Sequence, residues 1–301
     1  MSIIEKAVGK LDSGTKHPSE NDDRFRSIRN YQNSARRKKV RSTLELVDDG
    51  STVIKIDFDR LDKYGLYFYK ENTKQYEDEL RRIKRIMSKI AFNTSQTRSS
   101  LPSNVFLITS ALPNEGKSYI SSNLAMSLAR ERSAGVVLVD ADLPRRRLSQ
   151  GFGIQQQPGL IDILSRKDEV SITDVVLNTS VPHLALISAG QDSQSDPEVF
   201  TDYFAEGFFH DLANRFPDRI ILIDTPPLLL TSHAASLAQF VGQILVVVEA
   251  GVTENRYIND AVELLDKNKT IGFIMNKSTG KRISKHYKEY GDYGSSRDNG
   301  T

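Results

Sequence analysis

The stretch NVFLITSALPNEGKSYISSNLA, residues 104–125, joins two patterns at a loop. Residues 104–110 are almost continuously apolar over the length of one strand, which is how a strand buried on both faces reads. From about residue 116 to 131 the pattern is helical. The loop between them ends in Gly116-Lys117-Ser118. Such a loop points its backbone N–H groups, and the positive end of the helix that follows, at phosphate oxygens. Lys117 is spaced to reach β- and γ-phosphates and Ser118 to ligate Mg²⁺. The glycine that usually opens the loop is replaced by Ala111, which is still small. The expected nucleotide-binding set is Ala111, Pro113, Asn114, Glu115, Gly116, Lys117, Ser118 and Tyr119.

Apolar runs of strand length recur outward from this point: GVVLVDAD at 135–142, HLALISAG at 183–190, RIILIDTPP at 219–227, GQILVVVEAG at 242–251 and TIGFIMNK at 270–277. Helical segments separate them near 197–216, 231–240 and 253–266. The alternation predicts an α/β fold, a doubly wound, mostly parallel sheet covered on both faces, with a ligand crevice at the carboxyl ends of its strands. Asp140 and Asp142 end the second of these strands and Asp224 ends another. A hard cation takes oxygen ligands, so carboxylates beside a phosphate loop read as a Mg²⁺ site. Lone strand-end aspartates also cap helices. Asn276 ends the last strand, where a purine contact and a turn-forming role are equally compatible with it.

Phosphoryl transfer needs a triphosphate clamp, Mg²⁺ and a group that orients the attacking oxygen, and these residues supply all three. Nothing in them says whether the acceptor is water or a hydroxyl. The HRD, DFG and G-x-G-x-x-G motifs of eukaryotic-type protein kinases are absent.

The 301 residues contain no cysteine, which excludes disulfides and thiolate metal sites and suits a reducing compartment. No apolar run approaches the roughly 20 residues that cross a bilayer, and MSIIEKAVGK is no signal peptide. A cytoplasmic chain is expected, peripheral to the membrane only through a partner or through surface charge. The first hundred residues are polar. Ile3, Ile4, Ala7, Val8 and Leu11 recur at helical spacing behind a Ser2/Glu5 capping box, fitting a helix docked on its own core or on a partner. Residues 12–23 read as disordered. Residues 24–41 hold eight basic side chains and no acidic one. That run reads as a solvated, mobile segment; anionic headgroups are a further contact open to it, and nucleic acid a weaker one, because no folded base-reading element accompanies it. Residues 51–69 suggest a short strand and helix. QYEDELRRIKRIMSKIAFN, 75–93, is a helix with a Leu80, Ile83, Met87, Ile90 and Ala91 stripe, and 94–104 is a linker.

SALPNEGKS, VLVDADLPRRRL and ILIDTPP, in that order, resemble the motifs of the bacterial tyrosine kinases. MSIIEKAVGKL, IDFDRLDKYGLYF, DELRRIKR and VGQILVVVEAG are similar to the exopolysaccharide-locus tyrosine autokinases associated with exosortase and PEP-CTERM systems. That resemblance implies a P-loop NTPase fold of the MinD/ParA-like type, ATP and Mg²⁺ as cofactors, and a separate membrane chain-length determinant protein of polysaccharide export as partner. It implies that Lys117 and Ser118 bind phosphate and Mg²⁺, that Asp142 and Asp224 hold the metal directly or through water, and that Asp140 accepts or orients the tyrosine hydroxyl proton. It makes Tyr287, Tyr290 and Tyr293 the phosphoacceptors, modified in trans between subunits. A family self-association motif, E-x-x-R-x-x-R, is met by Glu79, Arg82 and Arg85, implying a homo-oligomer, a ring being one form. A one-residue shift gives Asp78, Arg81 and Lys84. Pro144 stands where relatives carry a basic residue, but Arg145, Arg146 and Arg147 follow at once.

The expected organisation is an N-terminal extension over 1–75, partly helical and partly disordered, a self-association helix over 76–98, a kinase domain over 104–280 and a flexible tyrosine tail over 281–301. One rival is a MinD/ParA-like ATPase switch, but that type carries a second loop lysine where this chain has Leu112. The other is a non-catalytic ATP-binding regulator of polysaccharide export, against which the intact aspartates argue.

Overall fold

The computed structural model describes residues 53–67, 74–92, 101–131, 135–165, 170–191 and 203–278. The expected N-terminal helix, the basic run and the three tail tyrosines lie outside these residues. In chain order the helices are α1 (Phe58–Lys63), α2 (Lys74–Phe92), α3 (Lys117–Ala129), α4 (Arg147–Phe152), α5 (Leu160–Ser165), α6 (Ile172–Val175), α7 (Tyr203–Arg215), α8 (Ser232–Ala238) and α9 (Asn255–Glu263). The strands are β1 (Val105–Ser110), β2 (Gly135–Asp140), β3 (Val176–Asn178), β4 (Leu184–Ile187), β5 (Arg219–Asp224), β6 (Gln243–Glu249) and β7 (Thr270–Asn276). They form one sheet in the order β3-β4-β2-β5-β1-β6-β7. Every pair is parallel except β3 with β4. Among the described residues no helix is long and apolar enough to cross a membrane.

The continuous apolar runs make this sheet because successive side chains point to opposite faces and both faces are covered. Val105, Leu107, Val137, Val139, Ile221 and Ile223 face one core, with α5, α7, α8 and α9. Phe106, Ile108, Val136, Leu138, Ile220 and Leu222 face the other, with α1, α2, α3 and α4. α3 lies over the sheet with eleven of its thirteen residues buried.

Residues 53–67 are not peripheral. Ile56, Leu61, Leu66 and Tyr67 are buried in the second core. Ile54 bridges Thr179, its N–H donating to Asn178 O at 2.8 Å, so this stretch extends the sheet beyond β3. Asp57 starts α1 by accepting the Arg60 N–H at 3.1 Å. The division expected near residue 104 is therefore not where the packing divides, since α2 also buries Leu80, Met87 and Ala91 in that core.

Candidate active site

The topology brings the expected residues to one edge of the sheet. β1, β2 and β5 are adjacent, so the loop after β1 and the aspartates ending β2 and β5 share the carboxyl ends of neighbouring strands. Gly116 caps α3 at φ 95°, a conformation that costs glycine little. A Cβ there would strike the Asn276 amide. The first N–H groups of α3 have no helical acceptor, which leaves them to an anion.

Lys117 Nζ lies 2.6 Å from Asp142 Oδ2, both side chains buried. Ser118 Oγ donates to Asp224 Oδ2 at 2.6 Å. Ser121, unmarked by any motif, donates to Asp224 Oδ1 at 3.0 Å. The signal for it was a polar residue one helical turn beyond Lys117 in a buried helix. Burial, with the neighbouring Asp142, pushes the Asp224 carboxyl up, and Lys117 and Ser118 pull it back, leaving it at about 6.

Asp140 reaches the same strand end, but its oxygens are engaged. Oδ2 accepts the Ser149 N–H and hydroxyl, each at 2.7 Å, and Oδ1 accepts the Asp142 N–H at 3.2 Å. The Ser149 hydroxyl in turn accepts the Ala189 N–H at 2.9 Å. Asp140 thus pins the start of α4 and the backbone of Asp142. Burial first, then the charge of Asp224, raises its carboxyl to about 7, against the Ser149 hydrogen bonds. A raised carboxyl favours the folded state while protonated. Its contribution is complete below about pH 4, the unfolded value, and is lost as pH rises through about 7. Asp224 adds a slope of the same sign up to about 6. Asp140→Asn removes the first of these slopes. Melting curves from pH 5 to 8 should show the stability of the variant relative to wild type improving as pH rises; a constant difference would contradict the assignment.

The remaining loop residues do different work from one another. Glu115 is 2% exposed and its carboxylate turns inward, accepting the Leu112 N–H at 2.7 Å. Asn114 sits at φ 68°, tolerable for asparagine, with its Oδ1 3.3 Å from Arg145. Arg146 and Arg147 turn elsewhere, to Gly190 O and Tyr64 O, both at 2.9 Å. The half-buried Tyr119 ring packs against Tyr76 of α2, the ring centroids 6.4 Å apart. Asn276 donates one amide N–H to Glu115 O at 2.8 Å, which ties the end of β7 to the loop. On α2, Glu79, Arg82 and Arg85 are exposed, whereas Lys84 is 7% exposed and pairs with Glu131 at 2.5 Å. Lys84, which belongs to the shifted register, is thus engaged within the fold.

Among the described residues no three histidine or carboxylate side chains gather closely enough to hold an ion alone. The donor set still fits Mg²⁺: a hydroxyl and one or two carboxylates beside a phosphate cradle leave the rest of an octahedral shell to water and phosphate. The buried Lys117, the unused N–H groups and the Gly116 cradle fit a nucleotide triphosphate.

No family model matches the chain. It is similar to the tyrosine-protein kinase YwqD of Bacillus subtilis (strain 168), 32% identical over 190 residues, 62% of this chain and 76% of that protein. It is also similar to the tyrosine-protein kinase ptk of Acinetobacter johnsonii, 31% identical over 180 residues, but spans only 24% of that longer protein's length. Among solved structures, the VpsO kinase domain matches with a TM-score of 0.53 at 29% identity, covering 67% of this chain and 98% of that one. A chain of the MinC:MinD cell division protein complex of Aquifex aeolicus matches at 20% identity and a TM-score of 0.50, covering 60% of this chain and 72% of that one, a likeness of fold alone.

Proposed function

Because the chain belongs to the bacterial tyrosine-protein kinases, the family shown by its 32% identity to YwqD over 76% of that protein, we propose that it transfers the γ-phosphoryl group of ATP to tyrosines of its own C-terminus, in trans. The observation that carries this reading is the pair of contacts at the head of α3, Lys117 with Asp142 and Ser118 with Asp224, each at 2.6 Å.

Lys117 and the N–H groups of the loop and of the first turn of α3 would hold the phosphates, and Ser118, Asp224 and Asp142 would hold Mg²⁺. Mg²⁺ held there would supply charge neutralisation to the phosphates. The transition state is loose, so the chain must mainly position and neutralise. Lys117 leaves Asp142 for the phosphate oxygens as the nucleotide enters. Asp142 would then share the ion through one oxygen and orient the acceptor hydroxyl with the other, Oδ1 carrying only the long Arg145 N–H contact at 3.4 Å. The resemblance gave that task to Asp140; we assign Asp140 to holding Asp142 instead, because its oxygens are already occupied. Asp142→Asn should lower the rate by about a hundredfold or more, and Asp140→Asn by markedly less. Equal losses would return the proton to Asp140. The decisive assay is purified chain with Mg-ATP, alone and with the cytoplasmic part of a membrane chain-length protein, blotted for phosphotyrosine. Silence in both arms would overturn the reading.

The chain would act at the cytoplasmic face of a polysaccharide export system. Self-association would use the outer face of α2, where Ile86 is 60% exposed between Arg82, Arg85 and Lys89. Arg82→Ala with Ile86→Glu should shift the sedimentation profile toward monomer without lowering the melting temperature. Lys84→Ala should do the reverse, since its ammonium also donates to Ser127 O at 3.2 Å inside the fold.

A further inference from the structure

The phosphate loop is tied down by strand ends that its motif does not include. The Glu115 carboxylate accepts the Thr253 hydroxyl and, at 3.4 Å, the Glu249 N–H, beside the Leu112 N–H at 2.7 Å. Thr253 belongs to the turn after β6, where its own N–H returns to Glu249 O at 3.1 Å. Lys277, just past β7, donates to Asn114 O at 2.8 Å and pairs with Glu249 Oε2 at 2.9 Å. The loop is thus held at Asn114 and Glu115, the two residues before Gly116, from a turn and a strand end far along the chain.

We propose that Thr253 and Lys277 are positioning residues for nucleotide binding, acting through Glu115 and Asn114. A carboxylate inside a loop that must cradle a triphosphate is a liability unless it is turned away and saturated with donors. Among the described residues, Thr253 supplies the one side-chain donor to the Glu115 carboxylate. Without it, Oε1 keeps only the long Glu249 contact, and the buried carboxylate competes for the loop N–H groups that phosphate oxygens need. Lys277 acts on the neighbouring peptide. It anchors the carbonyl of Asn114, whose left-handed backbone is the bend of the loop. The pair therefore sets affinity for the nucleotide rather than the chemistry of transfer.

This inference rests on the nucleotide-site reading but not on the acceptor, so binding is measured apart from transfer. Calorimetric titration of the full chain with Mg-ATP should show Thr253→Val weakening affinity by about tenfold, the loss expected for a hydrogen bond to a charged group. Thr253→Ser should restore it. Lys277, whose side chain is 45% exposed, can change without unfolding the core, and Lys277→Met should weaken binding in the same direction. In the phosphotyrosine assay Thr253→Val should raise the KM for ATP and leave kcat nearly unchanged. Wild-type affinity in both Thr253→Val and Lys277→Met would overturn the proposal, as would a Thr253→Ser variant as weak as Thr253→Val. Wild type that binds Mg-ATP without forming phosphotyrosine would sink the kinase reading while the affinity arm still judged this one. Wild type that binds no Mg-ATP would overturn both.

Discussion

Lys117→Met should reduce phosphotyrosine formation by about a thousandfold, the scale set by removing a preorganised charge from a phosphoryl-transfer site. The same change should destabilise the fold, because the ammonium is the cation beside Asp142 and also lowers the Asp224 carboxyl. Breaking one side of a buried ion pair costs about 3–5 kcal/mol, since the remaining charge is left without its partner. The two effects separate in the double variant Lys117→Met with Asp142→Asn. It should recover much of the lost melting temperature and none of the activity. Recovery of both would mean that Lys117 matters only to folding. Phosphotyrosine surviving in the single variant would move the site elsewhere.

Replacing Tyr287, Tyr290 and Tyr293 together by phenylalanine should remove most of the phosphotyrosine signal while leaving Mg-ATP binding intact. The reason begins at β7. Lys277 touches Asn114, so the segment carrying the tyrosines starts at the phosphate loop itself. Tyr287 lies nine residues beyond Ser278 and Tyr293 fifteen, an extended reach of about 30–50 Å. Reach alone therefore does not distinguish a chain's own site from its neighbour's. Mixing does. The triple phenylalanine variant keeps the site and lacks acceptors, and Lys117→Met keeps the acceptors and lacks the site. Phosphotyrosine on the Lys117→Met chain in the mixture is the expected result of transfer in trans. A silent mixture, with wild type active, would place the reaction within one chain. A full signal in the triple variant alone would move the acceptor.

Local pattern made β1, the loop and α3 legible, because a strand buried on both faces and a glycine loop leave their marks within about twenty consecutive residues. Parallel strands followed from the same apolar runs, and so did the strand-end position of Asp140, Asp142 and Asp224. β3 did not. It is three half-buried residues whose strand character comes from antiparallel pairing with β4. α4, α5 and α6, of six, six and four residues, sit among Gly, Pro and polar residues too short to show a period. Within the site, residue type could be read but not direction. Glu115 and Thr253 are 138 positions apart, and nothing near either residue predicts their contact. Asp140 and Asp142 look interchangeable in VVLVDAD, and the Ser149 contacts that distinguish Asp140 come from nine residues further on.

The contribution of residues 53–67 changes what a shortened chain would report. A fragment begun at the phosphate-loop motifs keeps every residue assigned to nucleotide and metal. It loses Ile56, Leu61 and Leu66 from beneath α3 and α4, the Leu66 carbonyl that receives Asn123 at 2.9 Å, and the Ile54 backbone that covers the free side of β3. Such a fragment would present bare apolar surface and an unpaired strand edge, the combination that drives chains to stick to one another. Its inactivity would then record aggregation, and its large apparent mass could pass for assembly. Fragments meant to isolate the enzyme should therefore begin before Val53.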